Sequence, residues 1–229
     1  MPIAHYVLSS IAHDLRSPLN AVIGFSRIMI KGLDGPLSDM QLADLEAIYT
    51  NGQMMLEMVN EIIDLGKTEA GTLAPGDAQV YLEPVIEKLI TQVEPQAGDI
   101  QIVSEPGDLL ISVQAEGAHI EQLLTDLVNV AMHCIESGRI TIKTESDGQT
   151  TTVQITALAS NELAPNAAHV LQAFETAGRS AEHRVDILSL KLLVCQKRVA
   201  LYDGTLAIAT PSDAEMTMTI QMPTTRRQT

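Results

Sequence analysis

Apolar residues recur every seven positions along residues 4–31. Leu8, Leu15, Val22 and Met29 form one row, and Ile11, Pro18 and Phe25 form a second row offset by three. That pattern is the a/d seam of one long helix. KGLDGPLSD ends the helix with two glycines and a proline. Ser38 then stands as the N-cap of a second helix that runs to about residue 70. Its apolar stripe is Leu42, Leu45, Ile48, Met55, Val59 and Ile62, broadened by Tyr49, Leu56 and Ile63. Two long helices joined by a short turn make an antiparallel hairpin. One hairpin leaves half its seam wet, and a homodimeric four-helix bundle covers it.

Residues 70–78, AGTLAPGDA, read as a linker, which divides the chain into a helix hairpin at 1–72 and a second domain at 73–229. The pattern then mixes element types. Residues 83–93 are helical, and IQIVSE and LLISVQAE are strands. A helix runs from about His119 to Glu136, carrying Ile120, Leu123, Leu124, Leu127, Val128 and Ala131. RITIKTES and QTTTVQITAL alternate around an SDG turn. A long helix covers roughly 183–201, GTLAIAT and MTMTIQMP add two strands, and TTRRQT is a tail. The fold class is α+β, the second domain being an α/β sandwich with helices on one sheet face.

Composition narrows the function. A net charge of −15 and no basic cluster argue against nucleic acid and against an anionic membrane surface. Aromatics are 3% with no Trp, so the core must be aliphatic. Cys134 and Cys195 form no spaced set, which fits buried thiols in a reducing cytoplasm. His119, His133, His169 and His183 are scattered without ligand spacing, so no metal is assigned. No apolar run is long enough to span a bilayer, and no signal peptide opens the sequence.

Chemistry concentrates at His13, within IAHDLRSPLNAVIGFS. In the heptad frame His13 falls at position f, pointing away from the seam. An exposed imidazole near neutral pH is a competent nucleophile toward an external electrophile. Asp14 can take an Nδ1 proton and favour attack through Nε2. Arg16 and Ser17 lie one turn on, and the Arg16 guanidinium suits a phosphoryl group. Pro18 cannot donate to the Asp14 carbonyl and bends the helix.

HDLRSPLNAVIGFS resembles the phospho-acceptor box of sensor histidine kinases, and the likeness continues through DLGKTEAG into the layout of the second domain, about residues 4–223 in all. The resemblance implies that His13 is phosphorylated, that Asp14 aids proton handling, and that Ser17 holds the position from which some members orient a water. It also implies an ATP site in the second domain, and there the match breaks. EQLLTDLVNVAMHCIESGRITI resembles the N-box helix, but its two Asn positions fall on Asp126 and Val130. Ala159 stands in place of the adenine-binding Asp, and Asn161 in place of the following Gly. The glycine lid box falls on ILSLKLL, which has no glycine. Phe174 resembles the family's F-box phenylalanine, though core packing is the blander reading.

With these departures the chain resembles the histidine phosphotransferases that pair a histidine helix hairpin with a degenerate ATPase-like domain, which implies a phosphotransferase with no cofactor of its own. His13 would exchange phosphoryl groups with response-regulator receiver domains, which supply Mg²⁺ and the acceptor Asp, with Leu19 and Ile23 either forming the dock or packing inside the bundle. The alternative is a pseudokinase that binds and regulates a kinase or regulator. An ATP-dependent kinase is the least favoured reading.

Overall fold

The computed structural model describes residues 2–33, 35–69, 76–105, 107, 110–164, 166–176 and 187–224, without the side chains of residues 2–13, 64, 65, 67–69, 176 and 187. Most of the expected linker, His183, and Arg226 and Arg227 of the expected tail lie outside the described residues, as do the side chains of His13, Leu8 and Ile11. The chain divides into two compact units, Met1–Leu73 and Ala74–Thr229.

The first unit is two helices, α1 (Pro2–Ile30) and α2 (Asp39–Glu69), packed along their length. Ser38 caps α2 as its sequence predicts. Gln41 N–H donates to Ser38 Oγ at 3.3 Å, and Ser38 N–H donates to Gln41 Oε1 at 2.9 Å, a reciprocal capping box.

The seam between these helices is not the one the first heptad predicts. Leu19, Val59 and Ile63 are buried together, with Leu56 packed against them. Ile23 sits over Gly52, where a Cβ would lie only 3.0 Å from Ile23 Cγ1, so the notch at Gly52 admits that side chain. Ser26 is buried on α1 and satisfies its hydroxyl by donating to the Val22 carbonyl at 2.7 Å. Leu15, Val22, Met29 and Phe25 instead stay exposed, Phe25 at 68%. On α2, Ile48, Met55 and Ile62 repeat every seven residues and are also exposed. Helix α1 therefore carries two apolar stripes. One meets α2 within the chain, and the Leu15–Val22–Phe25–Met29 stripe faces outward.

The second unit is a five-stranded sheet with helices on one face. Its strands are β2 (Ile100–Glu105), β4 (Gly138–Ser146), β5 (Thr150–Ala159), β6 (Thr205–Ser212) and β7 (Glu215–Pro223), in the order β2-β4-β5-β7-β6. The β2–β4 pair is parallel and the others are antiparallel. Ile142, Ile155, Met218 and Ile208 stand opposite one another across four strands, all buried. Thr141, Thr156, Thr217 and Ala209 form the next row, on the opposite side of the pleat.

Helices α3 (Leu82–Val93), α4 (Gly117–His133), α5 (Asn166–Thr176) and α6 (Ile187–Ala200) complete the unit. Helix α3 contacts β2, α4 contacts β4 and β5, and α6 contacts β6. Helix α4 stops three residues short of the expected Glu136. The expected strand LLISVQAE shortens to β3 (Ser112–Gln114), which pairs with a small β1 (Gln79–Tyr81) apart from the main sheet. Helix α5 is unanticipated by periodicity, because its inward positions are Ala167, Val170 and Ala173, two of them too small to register as an apolar stripe. Phe174 packs against this core. Among the described residues no helix is long and apolar enough to cross a membrane.

Candidate functional site

His13 lies in the middle of α1, and Asp14, Arg16 and Ser17 follow it with exposed side chains. Arg16 is three residues along the same helix, about one turn from His13. Its guanidinium is tied across the hairpin, Arg16 Nη2 donating to Asn60 Oδ1 on α2 at 2.8 Å. Asn60 went unnoticed in the sequence because a polar residue between apolar rows looks like any solvated position. Leu19 cannot serve as a dock, since it is buried against α2, and Ile23 is half-buried over Gly52. Of the two alternatives for these residues, packing inside the hairpin is what occurs.

The N-box-like helix α4 meets α6 through charge. Asp126 is 1% exposed. Gln122 Nε2 donates to its Oδ1 at 2.9 Å, and Arg198 Nη1 donates to its Oδ2 at 3.3 Å. Lys191 Nζ stands 3.7 Å from Oδ1. Lys191 and Arg198 lie two turns apart on α6, so both project from one face. Their side chains are only 10% and 4% exposed. Val130, one turn beyond Asp126, is buried and offers no ligand atom. The ILSLKLL segment, residues 187–193, is the first half of α6, with Leu192 buried. The two cations were missed because they lie seven residues apart on α6, and Arg198 sits in the polar run Gln196-Lys197-Arg198, which looks like a solvated helix end.

The other expected positions separate from this cluster. Ala159 ends β5 and donates its N–H to the Ala214 carbonyl at 2.8 Å. Asn161 is exposed and, with Glu136, Ser137 and Glu162, lines a surface pocket of about 290 Å³. His119 Nδ1 lies 2.6 Å from Tyr202 Oη, which also accepts the Glu116 N–H at 3.1 Å. His133 Nδ1 lies 2.7 Å from the Asn129 carbonyl of its own helix, so it donates there. Among the described residues no group of His, Cys, Asp and Glu could hold a metal. Cys134 and Cys195 are both buried. Burial pushes the Cys134 thiol up to about 12, which keeps it protonated and inert.

Residues 5–71 match the His Kinase A (phospho-acceptor) domain. That match and the relatives that follow support a likeness to the sensor histidine kinase family. It is 25% identical to the Non-motile and phage-resistance protein of Caulobacter vibrioides, over 94% of this chain and 26% of that protein. It is 27% identical to Histidine protein kinase DivJ of the same organism, over 94% of this chain and 36% of DivJ. The chain thus spans about a quarter to a third of the length of these curated relatives. Among solved structures, full-length ShkA in complex with AMPPNP superposes with a TM-score of 0.72 at 19% identity, covering 98% of this chain and 47% of ShkA. The Acinetobacter baumannii histidine kinase AdeS gives 0.60 at 17%, covering 93% of this chain and 98% of that one. The catalytic domain of histidine kinase ThkA gives 0.53 at 20% identity over 65% of this chain and 97% of its own. Those likenesses establish the fold: two N-terminal helices, then an α/β domain resembling histidine kinase catalytic domains.

Proposed function

We propose that this chain is a histidine phosphotransferase, exchanging phosphoryl groups between His13 and receiver-domain aspartates without binding ATP. The observation that carries the reading is the closed charge cluster between α4 and α6. In the resemblance, the N-box helix presents a metal-binding side chain to a nucleotide. Here Val130 stands at that position, and the Asp126 carboxylate turns to Arg198 and Lys191. A triphosphate entering this site would have to displace two cations from a buried carboxylate, with no glycine in residues 187–193 to let the backbone approach the phosphates.

The transfer itself needs little from the chain besides a nucleophile and positive charge. The His13 Nε2 lone pair attacks the phosphorus of an aspartyl phosphate on the receiver. The P–N bond forms as the P–O bond breaks, and the leaving electron pair stays on the receiver's carboxylate. The ring becomes a phospho-imidazolium, whose Nδ1 proton Asp14 can accept. Arg16 faces the charge on the transferring phosphoryl group. Mg²⁺ belongs to the receiver. A second copy of the chain covers the outward rows of α1 and α2, completing a four-helix bundle.

Two assays test this. Calorimetry with Mg-ATP should show no binding, and a low-micromolar dissociation constant would refute the reading of the α4–α6 cluster. Wild-type chain mixed with labelled phospho-receivers should take label in an acid-labile, base-stable form that His13→Ala abolishes. Failure to accept label from any receiver of its own cell would favour the pseudokinase that only binds and regulates.

A further inference from the structure

We infer that Asn60 is a positioning residue: its side-chain oxygen holds the Arg16 guanidinium one turn from His13, where it meets the phosphoryl group in transfer. The inference rests on the phosphotransfer reading of His13 and adds to it a residue from the opposite helix.

Three observations support it. First, the bond is made between helices. Arg16 on α1 and Asn60 on α2 are far apart in sequence, and Nη2 to Oδ1 is 2.8 Å. Second, both side chains are exposed, so the bond does not serve the buried Leu19–Val59–Ile63 cluster beside it. An exposed arginine spreads over many rotamers, and a single fixed acceptor removes much of that freedom before a ligand arrives. Third, the acceptor is a neutral amide. The chain carries 29 Asp and Glu, and none of them takes this place. A carboxylate would hold the guanidinium too, but would also cancel its charge. Asn60 uses one of the five guanidinium donors and leaves the rest, with the full charge, for phosphoryl oxygens.

The sequence spacing agrees. Residue 16 is in the row next to His13, and Asn60 directly follows Val59, whose burial against Leu19 sets the height at which the helices face each other. Asn60 is thus held in register with Arg16 by the core beneath it.

The test is a double-mutant cycle on phosphoryl uptake by the full chain from a labelled phospho-receiver. Arg16→Ala should lower the rate at saturating receiver by about tenfold or more, the worth of a hydrogen bond to a charged group. Asn60→Ala should lower it by about two- to tenfold, the range of one neutral bond. The half-saturating receiver concentration and the thermal midpoint should stay unchanged. In the Arg16→Ala background, Asn60→Ala should slow transfer by no more than about twofold, because Asn60 acts through the guanidinium. A structural staple would move the midpoint and leave the rate per folded molecule alone. The inference is overturned if Asn60→Ala transfers at the wild-type rate, or if it slows the Arg16→Ala chain as much as it slows wild type. A parallel arm uses phosphoramidate as a small phosphoryl donor. If His13 takes label from it but from no receiver, the phosphotransferase reading fails, and the same cycle read on phosphoramidate still decides the role of Asn60.

Discussion

Replacing Asp126 by Leu should destabilise the second unit far more than removing one side chain of that size. The carboxylate is 1% exposed and faces Arg198 at 3.3 Å and Lys191 at 3.7 Å, both with side chains nearly out of water. Breaking a buried ion pair by deleting one partner costs about 3–5 kcal/mol, because the remaining charge keeps its desolvation and loses its compensation. Both distances exceed the roughly 2.7–2.9 Å of a tight charge-assisted bond, which places the loss near the low end, about 3 kcal/mol. For a unit of about 150 residues that is a fall of about 6–12 °C in its thermal midpoint. The companion variant separates charge from packing. Asp126→Leu combined with Lys191→Met and Arg198→Leu removes all three charges and should recover most of the loss, since buried ion pairs exchanged for apolar residues are often neutral or better. Thermal and urea melts of the full chain by circular dichroism measure both. A single variant within about 2 °C of wild type would mean that the three charges do not share a buried site. A triple variant as unstable as the single would assign the loss to packing rather than to charge.

The outward and inward rows of the hairpin should respond differently to the same substitution. Phe25→Asp places a charge on the exposed row and should leave a folded hairpin that sediments as a monomer, whereas Val59→Asp puts it in the buried cluster and should unfold the hairpin itself. A wild-type chain that sediments as a stable monomer at micromolar concentration would remove the basis for the first outcome. Cys134, held protonated by burial, should react with a disulfide reagent at pH 8 only when the chain is unfolded, and native-state labelling at the rate of a free thiol would contradict its placement. Asp147 Oδ1 accepts the N–H groups of Gln149 at 2.8 Å and Thr150 at 2.7 Å, which lowers its pKa below the ordinary carboxylate value. A lowered folded-state pKa stabilises above the unfolded value near 4 and is lost as pH falls through the folded one. The midpoint gap between wild type and Asp147→Ala should therefore be largest at neutral pH and close below about pH 4.

The second unit was legible wherever apolar and polar residues alternate cleanly. RITIKTES and QTTTVQITAL became β4 and β5 because their inward residues are large, Ile140, Ile142, Val153 and Ile155, and their outward ones are mostly polar. Helix α5 escaped because two of its three buried positions are alanines, whose burial leaves no periodic signal. The site divides along similar lines. His13, Asp14, Arg16 and Ser17 are contiguous, so a motif displays them. Asn60, Lys191 and Arg198 matter through contacts across 44, 65 and 72 residues of chain, Lys191 and Arg198 both converging on Asp126, and no local pattern announces a contact of that kind.

The hairpin shows the limit of period itself. A heptad row on α1 establishes that some helix must cover it, and is silent on whether that helix belongs to the same chain. Here α1 carries two rows. Leu19 with Ile23 and Ser26 is poorer in large apolar groups than Leu15, Val22, Phe25 and Met29, yet it is the row that meets α2. The choice follows from fit. Gly52 lets the backbones approach under Ile23, and Ser26 closes its hydroxyl onto the Val22 carbonyl, so small residues give the close intramolecular seam. The bulkier row is left outward, as are Ile48, Met55 and Ile62, spaced at the same period on α2. Enlarging Gly52 to Leu should therefore force α1 and α2 apart and disturb both seams at once, lowering the hairpin's thermal midpoint. Phe25→Asp should not do so, because its side chain is largely exposed and lies outside the buried seam. Equal midpoints for Gly52→Leu and wild type would show that close approach at Gly52 does not set the seam.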